Sequence, residues 1–326
     1  MPRLNVGIIG YRNHSLKIIK ILLNSNYVNK INCYCYKKNY CKILNNKFKK
    51  NNINFSCKFS DLYLSDVFFI TSPSNTHNYY IKKLIKLKKP IFCEKTGLTS
   101  INQLKYYQKL NYNIRKKIYF NYNFIFSKIY NDLKKLLIKK NDRLNHISIF
   151  VSNGIYNLKK FKNDWRFLSK SSLERITGNL GSHYLQFIIT IFGKPVGMNI
   201  LEKSYIKNKI HTAVINIKFK NNITSTLFFS YSTPMINKME FIFDNKIILV
   251  NDLKMNIFGP RNTFDKKGFF KSPKIIKKYN YNQNMNDISL DKSVNSFLKK
   301  SQKKESFEKK YYTTALEVAK LLLTIK

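Results

Sequence analysis

The sequence predicts an α/β chain of two domains: a parallel-sheet domain over residues 1–120 and an α+β domain with a mostly antiparallel open sheet over residues 121–326. Three observations predict it. Residues 66–98 read as strand, polar turn, amphipathic helix and second strand, which is a βαβ unit. Residues 5–9 read as an apolar strand running into a glycine turn and a helix. Beyond residue 195, short strand patterns alternate with polar turns, as hairpins of an antiparallel sheet do. At 326 residues the chain is long enough to bury two cores of ordinary size.

The βαβ unit sets the expected site. Residues 67–70 are a β-branched and aromatic run, broken at 71–77 by Thr-Ser-Pro-Ser-Asn-Thr-His, where Ser or Thr is expected to cap the next helix. In that helix Tyr80, Leu84 and Leu87 share a face, with Ile81 and Ile85 beside them, while the lysines point to water. Pro90 ends it, and residues 91–93 form a strand running straight into Glu94-Lys95. Parallel strands joined by a right-handed crossover place ligands beyond their carboxyl ends. Thr71, Ser72, Pro73, Asn75, His77, Glu94 and Lys95 are therefore expected to line a site.

At the N-terminus, Gly10-Tyr11-Arg12-Asn13-His14-Ser15 separates the first strand from a helix over 16–24. A Rossmann fold binds pyrophosphate at such a turn, on backbone N–H groups at the helix start. Gly10, Tyr11, Arg12 and Asn13 are the candidate contacts; of G-x-G-x-x-G only the first glycine is kept, so Arg12 either swings outward or meets the phosphate itself. The second strand, 31–36, ends Tyr36-Lys37-Lys38-Asn39 with no carboxylate. A carboxylate would repel a 2′-phosphate and lysines attract one, which favours NADP over NAD, with Lys37 and Lys38 as contacts.

The remaining elements follow in order. A helix and short strand are expected over 42–61, a helix over 101–110, and a strand over 117–123 that closes the first domain. A helix over 126–138 precedes strand patterns at 146–152, 197–202, 212–220, 224–231, 238–243 and 247–250. Residues 266–286 read as a polar loop at a site mouth, and 290–298 and 311–325 as the last helices. The five cysteines lack zinc or paired disulfide spacing, so they are expected as buried, reduced thiols and no metal is expected.

Lys+Arg of 60 against Asp+Glu of 17 gives a formal charge of +43. The lysines are spread along the whole chain, Asn, Ile, Tyr and Phe are abundant too, and no nucleic-acid motif accompanies them. That pattern is compositional drift of an AT-rich coding sequence; it predicts no specific nucleic-acid partner, only polyanion affinity at low salt. No apolar run approaches the ~20 residues of a membrane span. The start reads as a strand, not a signal peptide, so a soluble, cytoplasmic protein is expected.

The T-S-P-S-N-T-H turn followed by I-F-C-E-K-T resembles the Gfo/Idh/MocA family of nicotinamide-dependent oxidoreductases, whose second strand ends Glu-Lys-Pro; Thr96 stands at that proline. Trp165-Arg166 resembles a W-R pair of the family, and residues 178–186, Gly-Asn-Leu-Gly-Ser-His-Tyr-Leu-Gln, resemble its second signature, with Asn179 and Gln186 where the family has Asp. The resemblance implies hydride transfer between NADP or NAD and a sugar, sugar nucleotide or related polyol, hence a role in carbohydrate metabolism. It implies His183 as acid/base and Lys95 orienting or polarising the substrate oxygen, with Asn179 able to hydrogen-bond His183 or a hydroxyl. Substrate contacts implied are Lys95, Asn123, Trp165, Arg166, Asn179 and His183, and a homo-oligomer is implied through the C-terminal sheet. A second class, a catalytically reduced dinucleotide-binding or interaction protein on the same fold, is favoured by Arg12, Thr96, Asn179 and Ile125, the last standing where the family has Arg.

Overall fold

The structure is a computed structural model that describes residues 2–138, 142–158, 176–206, 209–260, 264–282 and 287–324. The chain divides into two compact units, Met1–Phe126 with Asp287–Leu323, and Ser127–Asn286 with Thr324–Lys326.

The first unit holds six strands, β1 (Leu4–Ile9), β2 (Val28–Tyr34), β3 (Ile53–Ser56), β4 (Val67–Ile70), β5 (Ile91–Glu94) and β6 (Ile118–Asn121). They pair in the order β3-β2-β1-β4-β5-β6, every pair parallel. This is the doubly wound order, with its switch point between β1 and β4. β4, β5 and β6 are buried at every residue, which is why they read as apolar runs without alternation. The helices are α1 (Asn13–Leu23), α2 (Lys38–Lys47), α3 (Ser74–Leu84), α4 (Ile101–Gln108) and α5 (Tyr112–Arg115).

Two local expectations on α3 need correction. Its buried face is His77, Ile81 and Leu84 rather than Tyr80, Leu84 and Leu87. The helix stops at Leu84, tightens to a 3₁₀ turn over Ile85–Leu87 and ends on left-handed Lys88 (φ 52°), so Leu87 leaves the register. No Ser or Thr side chain caps it: Pro73 holds the N-cap position, and Thr76 Oγ1 donates to Pro73 O at 2.7 Å.

The second unit begins with α6 (Lys128–Leu137), capped by Ser127, whose Oγ accepts from Tyr130 N at 3.1 Å. β7 (Leu144–Ser152) follows, then a π-helical turn (Thr177–Gly181) leading into α7 (Ser182–Phe192). Seven strands complete it: β8 (Gly197–Ile206), β9 (Lys209–Lys218), β10 (Thr224–Ser230), β11 (Ile236–Phe243), β12 (Ile247–Asn251), β13 (Lys254–Phe258) and β14 (Ile275–Asn280). The sheet order is β14-β13-β12-β11-β7-β10-β9-β8, antiparallel throughout except for the parallel β7–β10 pair. Alternate residues such as Ile147, Ile149, Leu227, Phe229, Met239 and Phe241 are buried, and α6 and α7 join that core through Tyr130, Phe187 and Phe241.

β13 and β14 were not expected. The 266–286 segment, read as a loop, contains β14, whose Ile275 to Lys278 are exposed. An edge strand that buries one side poorly and carries lysines lacks the apolar alternation that betrays inner strands.

The last two helices, α8 (Asp287–Gln302) and α9 (Thr314–Thr324), correct the domain boundary. Residues 287–323 group with residues 1–126 in the first unit, not with 127–286. Phe297 of α8 packs on Phe69 (5.1 Å between ring centroids), Phe92 (5.4 Å) and Tyr119 (5.6 Å) of β4, β5 and β6, and Tyr311 stacks on Tyr119 at 4.2 Å. Each such aromatic pair is worth ~0.5–1.5 kcal/mol beyond its buried area. The strands' apolar face thus recruits the end of the chain.

Candidate active site

The turn after β1 is built around Gly10. Its φ is +128°, and a Cβ there would meet Thr71 Oγ1 at 2.5 Å and Ser15 Oγ at 2.6 Å. Only glycine suits that backbone and that space. Thr71 Oγ1 donates to Ile9 O (3.0 Å), and Ser15 Oγ donates to Thr71 O (3.3 Å), so the ends of β1 and β4 are pinned together at the switch point. Ser15 replaces the third glycine of the fingerprint by hydrogen bonding across the close contact. Arg12 occupies the N-cap position of α1 with no side-chain cap, and the first turn has no acidic residue. Arg12, Asn13 and His14 are exposed. The helix start therefore offers unpaired N–H groups and a guanidinium to an anion.

Tyr11, by contrast, is buried and packs its ring on Tyr36 (5.7 Å) and Tyr40 (5.5 Å), both exposed. These rings lead from the turn to Lys37, the N-cap of α2, and Lys38, its first residue; both lysines are exposed. The segment Tyr36-Lys37-Lys38-Asn39 itself carries no carboxylate.

At the ends of β4, β5 and β6 a hydrogen-bonded chain runs inward. His14 Nε2 lies 3.1 Å from Glu94 Oε1, which also accepts from Asn121 Nδ2 at 2.9 Å. Asn121 Oδ1 accepts from Ser293 Oγ at 2.7 Å, and Ser293 Oγ lies 2.6 Å from Tyr119 OH. Burial pushes the Glu94 carboxyl up, but His14 and Asn121 outweigh it and hold it below the usual carboxylate range. The hydrogen bond to Glu94 raises His14 above its ordinary value despite partial burial. Lys95, half-buried, follows Glu94 and is joined to Thr96 by a cis peptide bond.

His77 does not open to solvent. It is fully buried, its Nε2 lies 2.7 Å from Ser72 O, and burial lowers its pKa. It holds the 71–77 turn in shape, while Ser72, half-buried, and the exposed Pro73 and Asn75 form the turn's outer side. Asn123 is buried too, donating to Ser289 Oγ of α8 at 2.6 Å. Ile125, at the position where the resemblance expects arginine, is buried.

In the second unit, Asn179 sits in the π-helical turn and His183 in the first turn of α7, both half-buried. π-turns recur at functional sites because they re-aim side chains within a helix. A Cβ on Gly181 would stand 2.7 Å from the Phe229 ring, so this glycine lets the turn approach β10 closely. Gln186 is buried and donates to Thr190 Oγ1 at 3.1 Å. Trp165 and Arg166 lie outside the described residues.

The first unit thus gathers Gly10, Arg12, Asn13, Thr71, Ser72 and Glu94 at one end of its sheet, with Lys37 and Lys38 at the end of β2. Lys95 belongs to the first unit, Asn179 and His183 to the second. Sequence reasoning missed His14, Asn121 as the partner of Glu94, and Ser293. His14 was in plain view inside the glycine turn; Ser293 carried no signal. Among the described residues no group of His, Cys, Asp and Glu could hold a metal, and no helix is long and apolar enough to cross a membrane.

No protein-family model matches the chain, and no curated protein matches it in sequence. Solved structures do match. A myo-inositol 2-dehydrogenase from Lactobacillus plantarum superposes with a TM-score of 0.78 at 15% identity, over 98% of this chain and 95% of that one. An oxidoreductase from Agrobacterium radiobacter in complex with NAD+, L-tartaric acid and magnesium gives 0.75 at 14% identity, over 98% and 94%. A variant 3-ketoreductase from Actinomadura kijaniata in complex with TDP-benzene and NADP gives 0.72 at 11% identity, over 98% and 96%. Over the described residues this chain has the fold of these oxidoreductases.

Proposed function

We propose that the chain is a cytoplasmic NAD(P)-dependent oxidoreductase acting on a sugar, sugar nucleotide or related polyol, with NADP favoured as cofactor. The observation that carries the reading is the uncapped, acid-free start of α1 behind Gly10 at the β1/β4 switch point. Gly10, Arg12 and Asn13 would hold the pyrophosphate, and Lys37 and Lys38 the 2′-phosphate, beside Tyr36 and Tyr40. Ser72, Pro73 and Asn75 would border the nicotinamide ribose. The named ligands and activities of the structural neighbours, NAD+, NADP, an inositol dehydrogenase and a 3-ketoreductase, support the same class.

When bound, the nicotinamide supplies or accepts the hydride. Lys95 would orient the substrate oxygen, and His183 would take or give the hydroxyl proton, since imidazole titrates near neutral pH. Asn179 would hydrogen-bond His183 or a hydroxyl; an amide cannot hold a proton as an Asp would. Self-association through the sheet of the second unit belongs to the same proposal, and light scattering on a sizing column reads it directly.

Calorimetric titration at moderate salt should show NADP binding tighter than NAD; equal or reversed affinities remove the NADP preference. Lys95→Met and His183→Ala should leave cofactor affinity nearly intact while turnover falls by roughly 10²–10⁴. Full activity of both variants on a verified substrate would refute the assignment. The second reading, a cofactor binder with reduced catalysis, is favoured by buried Ile125 and by Asn179. Tight NADP binding without turnover across a sugar and polyol panel would decide for it.

A further inference from the structure

We propose that Cys41 and Cys57 form a reversible dithiol–disulfide site at the outer edge of the first sheet. The two thiols come from separate elements: Cys41 from the first turn of α2, Cys57 from the residue after edge strand β3. Both are free, and their Sγ atoms lie 2.9 Å apart. Disulfide sulfurs stand about 2.05 Å apart, so closing the pair needs an approach of under about 1 Å.

Exposure divides the roles. Cys57 is exposed, whereas Cys41 is buried and its Sγ donates to Cys35 O at 3.1 Å. Burial and the neighbouring thiols hold the Cys41 thiol well above its ordinary range, so Cys57 is the point of entry. Lys38 and Lys42 lie beside Cys41 in the sequence of α2 and Lys58 follows Cys57; all three are exposed, and their charge favours an anionic oxidant. The other three cysteines are buried and donate to backbone carbonyls of Gly10, Lys37 and Glu94.

The oxidant is a low-molecular-weight disulfide of the glutathione class. Cys57 loses its proton to water and attacks one sulfur of that disulfide; the old S–S bond breaks and one glutathione thiolate leaves. Cys41 then loses its proton and attacks the Cys57 sulfur of the mixed disulfide, expelling the second thiolate. The protein gives up two hydrogens, and one oxidised glutathione becomes two reduced ones. The chemistry needs only the two thiols and does not depend on the nicotinamide reading, although α2 also carries Lys38 and is capped by Lys37, the residues assigned to the 2′-phosphate.

The test treats the reduced full-length protein with oxidised glutathione, followed by intact mass and tryptic mapping. The expected product has lost two hydrogens, links peptide 39–42 to peptide 51–58, and reverts with dithiothreitol. Cys41→Ser should stop at one glutathione adduct on peptide 51–58, and Cys57→Ser should form neither adduct nor link there. Wild-type protein that stops at the mixed disulfide, or a link that maps to peptide 31–37, would overturn the proposal, whether or not the variants fold.

Discussion

Glu94 lies where opposing effects meet: burial favours its neutral form, while His14 and Asn121 favour the carboxylate and prevail. The pair has two pH limits. Glu94, depressed in the fold, contributes stability that is present above its unfolded value near 4.5 and lost as pH falls through its lower folded value. His14, raised in the fold, contributes stability that is present below 6.5 and lost as pH rises through its higher folded value. Both describe one ion pair, so they are not added, and the exposed imidazole keeps it near the ~0.2–1 kcal/mol of surface pairs. An NMR titration should place His14 above 6.5, and Glu94→Gln should lower it; an unchanged His14 in that variant would break the link. Gly10, Glu94, Lys95 and His183 were readable as candidates because each sits in a short motif. The His14–Glu94 and Asn121–Ser293 contacts were not, because they join residues distant in sequence.

Among elements, α8 reaches the site through Ser293 and the core through Phe297. Phe297 inserts among Phe69, Phe92 and Tyr119, so Phe297→Ala should cost about 3–5 kcal/mol, read from urea denaturation. Ser293→Ala leaves Asn121 Oδ1 and Tyr119 OH short of a partner in a buried site, for roughly 1–3 kcal/mol. A loss under 1 kcal/mol for Phe297→Ala would mean that α8 is only loosely docked. The inner strands of the first sheet were readable from burial on both faces, and the presence of α3, though not its buried face, from helical spacing. β14 was not, because an exposed edge strand obeys no apolar period; nor was the destination of α8, because an apolar stripe does not name the sheet it covers.

For the whole molecule, the charge of +43 is spread rather than gathered. Two unrelated single-stranded RNAs should bind with similar, weak affinity, falling steeply with added salt, in a fluorescence anisotropy titration. A sequence-selective nanomolar complex at physiological salt would contradict this. The fold class of both units was legible, since parallel and antiparallel sheets leave different hydrophobic patterns. The discontinuity of the first unit was not.

That discontinuity carries a consequence for synthesis. A ribosome releases the chain from the N-terminus, and domains ordinarily fold in the order they emerge. Here β1 to β6 emerge first, yet the aromatic face of β4, β5 and β6 is completed only by Phe297, Phe307 and Tyr311. The stretch between, Ser127–Asn286, forms a unit of its own. It should therefore reach its native state before the unit that precedes it. Nascent chains stalled with residue 286 just outside the exit tunnel should resist protease over 127–286 and remain cleavable over 1–126, and release of the completed chain should protect both. Until then the half-built sheet is an exposed apolar surface, the kind of segment to which chaperones bind.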